Sequence, residues 1–175
     1  IPYTGVHTVC DWNYGNPVSV CNDQVQTSTW NGCVGSRTEP LDENIGTPSS
    51  PYPGLPNAWC TSELVTLTND KAKLKSKITD LVPVGNTYIP AGLLWGWNLL
   101  DSNAPYSQGK TKSAIEAMGG KKAMVLMTDG DNTLSADYPW HWGNDGDKAD
   151  AKTQGLCKNI KNDDIVVYTV SFMVI

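Results

Sequence analysis

No stretch of this chain stays apolar for the ~20 residues that a membrane-crossing helix needs, and no secretory leader is visible at its start. Histidine is scarce: there are two, His7 and His141, and neither has a second histidine at ligand spacing. C-x-x-C does not occur, so a tetrahedral zinc site lacks its usual ligand pairs. Also missing are G-x-S-x-G, H-E-x-x-H, G-x-x-x-x-G-K-[ST] and G-x-G-x-x-G. Their absence removes the nucleophile elbow, the zinc-hydrolase helix and the phosphate-cradling glycine loops, and with them the commonest enzymatic readings. Positive charge is thin as well: 13 Lys and Arg stand against 18 Asp and Glu, for a net charge of -5. Nucleic acid and anionic membranes need clustered basic residues. Here the densest run, Lys71 to Lys77, falls on a predicted helix as a solvated face.

What is present is a chain of 175 residues, 39% hydrophobic, enough for one domain with a real core. Residues 1–175 are therefore read as a single domain. The chain opens inside a strand-like segment and closes inside an apolar run. Both ends read as cuts through a longer protein, with any export signal or membrane anchor lying beyond them. Cysteines stand at positions 10, 21, 33, 60 and 157. The first four share one Gly/Pro/Trp-rich stretch of little periodicity, and a loop that long needs tying down. Disulfides would do so, and they imply an oxidising, extracytoplasmic compartment. The pairing stays open. Cys33 with Cys60 and Cys10 with Cys21 is the preferred arrangement, which leaves Cys157 as a small buried hydrophobe or the partner of a cysteine outside the chain.

Residues 1–9 are β-branched and aromatic and predict a strand. Residues 10 to about 66 form a cysteine-bearing insertion whose proline-rich centre, 47–56, suits neither a helix nor a central strand. Beyond it the pattern changes. Thr68 or Asn69 can cap a helix with Leu74, Ile78 and Leu81 on one face, ended by Pro83. Pro90 suits the first turn of a second helix carrying Leu93, Leu94, Trp97 and Leu100. A weaker helix spans about 112–118, and another about 148–160. Between them lies the apolar run 123–127, and a second run, 165–172, follows. Continuous apolar runs of this length predict strands buried on both faces. The alternation predicts an α/β fold with a doubly wound, mostly parallel sheet.

In such sheets ligands bind at loops leaving the carboxyl ends of the strands. Asp129 stands there, directly after the first apolar run, where a carboxylate can hold a hard cation. Thr87, in the loop ahead of the second helix, offers a hydroxyl to the same cation or simply caps the helix. Asp131 either assists through water or faces solvent in a turn. Asp145 and Asp147 meet only part of the calcium-loop pattern. Trp140 and Trp142 flank His141 in a polar loop, where they either contact a partner or fill gaps in the core.

Several motifs occur together and in order. They are Gly85-Asn86-Thr87-Tyr88-Ile89-Pro90-Ala91-Gly92-Leu93, continuing to Trp95-Gly96-Trp97, then Val125-Leu126-Met127-Thr128-Asp129-Gly130 with Asn132-Thr133. Cys157-Lys158 with Ile160-Lys161, and Val167-Tyr168-Thr169-Val170-Ser171-Phe172, follow. With Trp30, Gly32-Cys33-Val34 and Arg37, and the opening Ile1-Pro2-Tyr3-Thr4, the set resembles the von Willebrand factor A-type domain of TadG-like proteins of Tad/Flp pilus assembly. The resemblance spans nearly the whole chain. It implies a metal-ion-dependent adhesion site in which Thr87 and Asp129 join a D-x-S-x-S loop around Mg²⁺ (or Mn²⁺ or Ca²⁺), and an acidic group of a protein partner completes the shell. The chain contains no D-x-S-x-S, and the first strand, which carries it in that family, is expected to lie outside this fragment.

The expectation is a binding domain rather than an enzyme, serving pilus assembly or adhesion outside the cytoplasm. The expected partner is a protein, a pilus or surface component, and not nucleic acid. Three rival readings are a secreted carbohydrate-binding domain using Trp140 and Trp142, a purely structural pilus component, and a metal-dependent hydrolase using Asp129.

Overall fold

The computed structural model describes residues 2–11, 20–55, 60, 62–137 and 143–172, with the backbone alone for 2–11 and 20–29. The chain is mixed α/β and divides into two compact units, residues 1–34 with 54–60, and residues 35–53 with 61–175.

In the first unit, β1 (Pro2–Asp11) pairs antiparallel with β2 (Val20–Thr29). The register runs from Pro2 opposite Thr29 to Asp11 opposite Val20, and sets Cys10 opposite Cys21. The strand expected at residues 1–9 is β1. β2 lies inside the stretch of little periodicity, residues 10 to about 66, that the sequence marked as an insertion. Val20-Cys-Asn-Asp-Gln-Val-Gln-Thr-Ser-Thr has almost no apolar alternation, and its strand conformation rests on the ladder to β1. Beyond β2, Cys33 is bridged to Cys60. Leu55 N–H donates to Cys33 O, Val34 pairs with Gly54, and Trp30 Nε1 donates to Cys33 O at 2.7 Å. A Cβ at Gly54 would stand 3.2 Å from Trp30 Nε1, so a residue without a side chain lets the indole approach.

The second unit is built on a two-stranded parallel sheet, β3 (Lys122–Thr128) and β4 (Ile165–Ser171), paired from Lys122–Ile165 to Thr128–Ser171. Four α-helices accompany it among the described residues. α1 (Lys71–Thr79) is capped by Asp70, whose Oδ1 accepts from Ala72 and Lys73 N–H at 3.0 Å. The cap is thus Asp70 rather than Thr68 or Asn69; Thr68 Oγ1 instead accepts Asp70 N–H. α2 (Ile89–Leu100) starts with Pro90 in its first turn, and α3 (Lys112–Ala117) is capped by Thr111. α4 (Gly146–Asn162) connects the parallel strands. Its cap is Asp145, which accepts Lys148 N–H at 2.9 Å, and that accounts for the acidic residue in the partial calcium-loop pattern.

The core lies between one face of the sheet and the pair α2 and α4. Leu93, Leu94, Trp97, Met124, Leu156, Ile160 and Ile165 are buried there, with Leu126, Val167 and Cys157 packed against them. Cys157 is free and half-buried against this core. Trp97 is the inward tryptophan of its pair, and its Nε1 donates to Asp163 Oδ2 at 3.0 Å. A Cβ at Gly96 would come within 3.1 Å of Met124 Cε, a tight approach that the methionine side chain would have to yield to.

Two packing expectations fail. Val125 and Met127 are 64% and 65% exposed, and Tyr168 and Val170, their register partners, are exposed too, so the sheet is buried on one face among the described residues. Continuous apolarity specifies a strand but does not supply the second covering layer. Likewise Leu74, Ile78 and Leu81 are exposed, and α1 buries no residue. The helix ends at Thr79, so Leu81 falls beyond it.

Among the described residues, no helix is long and apolar enough to cross a membrane. Leu156 is fully buried at the centre of the core. Leu156→Ala is expected to cost about 2–5 kcal/mol in urea unfolding, because a deleted core side chain loses its transfer energy and leaves a cavity.

Candidate functional site

Two loops of the second unit meet beyond the carboxyl end of β3. The first, ahead of α2, carries Thr87; the second, residues 129–137, carries Asp129 and Asp131. Thr87 O accepts from Thr133 N–H at 2.9 Å and from Leu134 N–H at 3.1 Å. In return Thr87 N–H donates to Thr133 Oγ1 at 2.9 Å. These bonds join residues 46 or, for Leu134, 47 positions apart and tie the threonine loop to the aspartate loop. Thr87 is half-buried, while Asp129 and Asp131 are exposed. Thr128 Oγ1 donates to Gly130 O at 3.0 Å, which tightens the turn around Asp129. Among the described residues, none forms an ion pair or side-chain hydrogen bond with Asp129, Asp131 or the Thr87 hydroxyl.

The clamp beneath this rim is Asn132, 7% exposed. Its Oδ1 accepts Ile89 N–H at 2.7 Å, at the start of α2. Its Nδ2 donates to Asp150 Oδ1 at 2.8 Å and Thr153 Oγ1 at 3.2 Å, both on α4. An N–H can only donate, so the Ile89 bond fixes which way the amide points.

The same loop is held a second time, at Asp137. Lys152, on α4 and 4% exposed, reaches Asp137 Oδ1 at 2.6 Å and also bonds Asp42 Oδ2. Glu39 Oε1 lies 3.4 Å from its ammonium. Lys148 adds a bond to Asp137 at 2.9 Å, and Ser135 Oγ donates to Asp137 at 2.7 Å. The carboxylates of Glu39, Asp42 and Asp137 lie within 4.8 Å of one another, a spacing that could hold a metal. The Lys152 ammonium already stands among them and answers their charge. Burial works to raise the Asp137 carboxyl, but the bonds from Lys152, Lys148 and Ser135 outweigh it and hold it at about 2 against an ordinary 3.8. Burial likewise works to lower the Lys152 ammonium, and Asp137 and Asp42 overcome it and raise it. Beside this cluster, Arg37 is 4% exposed and donates to Ile45 O, Ser50 O and Asn44 O, with its guanidinium 4.2 Å from the Tyr52 ring centre.

Of the residues singled out in the sequence, Thr87, Asp129 and Asp131 are thus on adjoining loops. Trp140 and Trp142 lie outside the described residues, as do the side chains of Cys10 and Cys21. Sequence reasoning passed over Lys152, Asp42, Asp137 and Glu39 entirely. It noted Asn132 and Arg37 within motifs without assigning them a task.

Lys152→Met leaves Asp42 buried without its counter-charge and is expected to cost about 3–5 kcal/mol in chemical unfolding. The acid side has a definite sign. Asp137 is depressed on folding, so its contribution is full above 3.8 and is lost as pH falls toward about 2. Unfolding midpoints recorded over that interval should decline, and Asp137→Asn should start lower and decline less steeply.

Compared with known proteins, the chain matches no family model, no curated protein and no solved structure.

Proposed function

We propose that the chain is a von Willebrand A-type domain of the TadG-like kind, and that it binds a protein partner through a metal-assisted contact at the rim formed by Thr87 and Asp129. On this reading β3 and β4 are two strands of a doubly wound, mostly parallel sheet, and the domain works outside the cytoplasm in pilus assembly or adhesion. The observation that carries the reading is the triple hydrogen bond between Thr87 and the Thr133–Leu134 segment. It brings a hydroxyl-bearing loop and a carboxylate-bearing loop together at the end of a parallel strand, where open α/β sheets place their ligands.

The donor types fit a hard cation. Mg²⁺ takes oxygen ligands in octahedral geometry and keeps several waters, so few protein ligands suffice. Thr87 Oγ1 and the Asp129 carboxylate are the protein oxygens this chain offers, and Asp131 would act through water. Mn²⁺ or Ca²⁺ could stand in. Bound there, the ion supplies a positive charge that attracts a carboxylate from the partner. The residues of this chain hold and orient it; no bond is made or broken.

The chain contains no D-x-S-x-S, so its own oxygens form a partial set and weak uptake is expected. Calorimetric titration with Mn²⁺ should show one saturable site, lost in Asp129→Asn and weakened in Thr87→Ala. A flat titration of the wild-type chain would end this reading.

A further inference from the structure

The rim loops are exposed, yet the residue that joins them is not. Asn132 is buried, and its three carboxamide bonds go to two other segments: Ile89 at the start of α2, and Asp150 and Thr153 in the second turn of α4. Its immediate neighbours carry the load. Thr133 and Leu134 bond Thr87 O, and Asp129 stands three residues before it. A carboxamide can do this where neither a carboxylate nor an alcohol could. It must accept from one backbone N–H on one side and donate twice on the other.

We infer that Asn132 is a positioning residue for the rim: its carboxamide fixes the loop of Asp129 against the loop of Thr87, and anchors both on α4. Its consequence for ligand binding rests on the metal-assisted reading above, whereas the clamp itself stands on the hydrogen bonds. Asn132 touches neither cation nor partner. It acts by holding the spacing between the two protein oxygens, so that they need not be ordered when a cation arrives. Outer-shell supports of this kind typically change metal affinity ~10–100-fold when lost. The geometry also makes α4 the fixed base of the site, since Lys152, one residue before Thr153, holds the far end of the same loop at Asp137.

The test is a reciprocal exchange in the full chain at neutral pH. Asn132→Asp keeps the size and the acceptor toward Ile89, but turns the donor side into an oxygen facing the Asp150 carboxylate. Combining it with Asp150→Asn restores a donor–acceptor pair with its direction reversed. Mn²⁺ affinity by calorimetry should fall ~10–100-fold in the single variant and recover substantially in the double variant. Amide exchange at Thr133 and Leu134 should speed up in the first and slow again in the second. A merely structural role would lower the melting temperature without this paired loss and recovery. The inference is overturned if Asn132→Asp leaves both affinity and amide protection as in the wild type, or if the double variant recovers neither. Should the wild-type chain take up no Mn²⁺, the metal reading fails by itself. The amide exchange then decides the clamp: acceleration and recovery uphold it, and unchanged exchange overturns it.

Discussion

A buried amide must have its hydrogen bonds, and that demand organises the second unit. Taking a carboxamide out of water costs free energy unless each of its groups finds a partner. Asn132 meets this by drawing α2, α4 and the loop after β3 to one point. Asn98, fully buried on α2, does the same elsewhere: Oδ1 accepts Gly46 N–H, and Nδ2 donates to Tyr52 Oη and Leu94 O. Neither asparagine contributes apolar packing. Each converts a long connecting segment into part of the core's rim, because the segment cannot leave without stranding a polar group.

The apolar core alone would not do this. Leu93, Trp97, Met124, Leu156 and Ile160 bring α2 and α4 onto one face of β3 and β4. Hydrophobic contact is not directional, so it fixes proximity rather than the path of a loop. The path of residues 129–137 is set by polar bonds at Asn132 and Asp137, both to neighbouring turns of α4. The 35–53 segment is set in a similar way, by Arg37 on successive carbonyls, by Asn98, and by Asp42 on Lys152. Loops that carry function are commonly positioned by a rigid scaffold, and here the scaffold reaches into the loops through side chains.

This division explains what could be seen in the sequence. β3, β4, α2 and α4 were legible because apolar runs and helical spacing announce them. Thr87 and Asp129 were legible because each sits at a junction where the pattern changes. β2 was not, since a strand rich in Asn, Asp, Gln, Ser and Thr, with Val20, Cys21 and Val25 out of step, has no regular apolar period, and its conformation depends on a partner strand. α1 was legible as a helix, but its apolar stripe gave no indication of what it would meet. The Lys152 cluster was illegible for a different reason: Asp42 lies 110 residues away, and charge pairs have no spacing rule at that range.

The two places that could attract a cation differ in one physical respect. Glu39, Asp42 and Asp137 form the tighter group, yet Lys152 and Lys148 already lie among them, and a divalent ion would have to displace a buried ammonium held by two carboxylates. At the rim, Asp129 and Asp131 face solvent with no basic residue paired to them among the described residues. An added cation meets no competitor there, and the loops are already held in place by bonds elsewhere. Compactness alone therefore does not make a carboxylate cluster a cation site, because an ammonium already seated within it must leave first. On the proposed reading the open carboxylates are those of Asp129 and Asp131, on the loop bonded to that of Thr87.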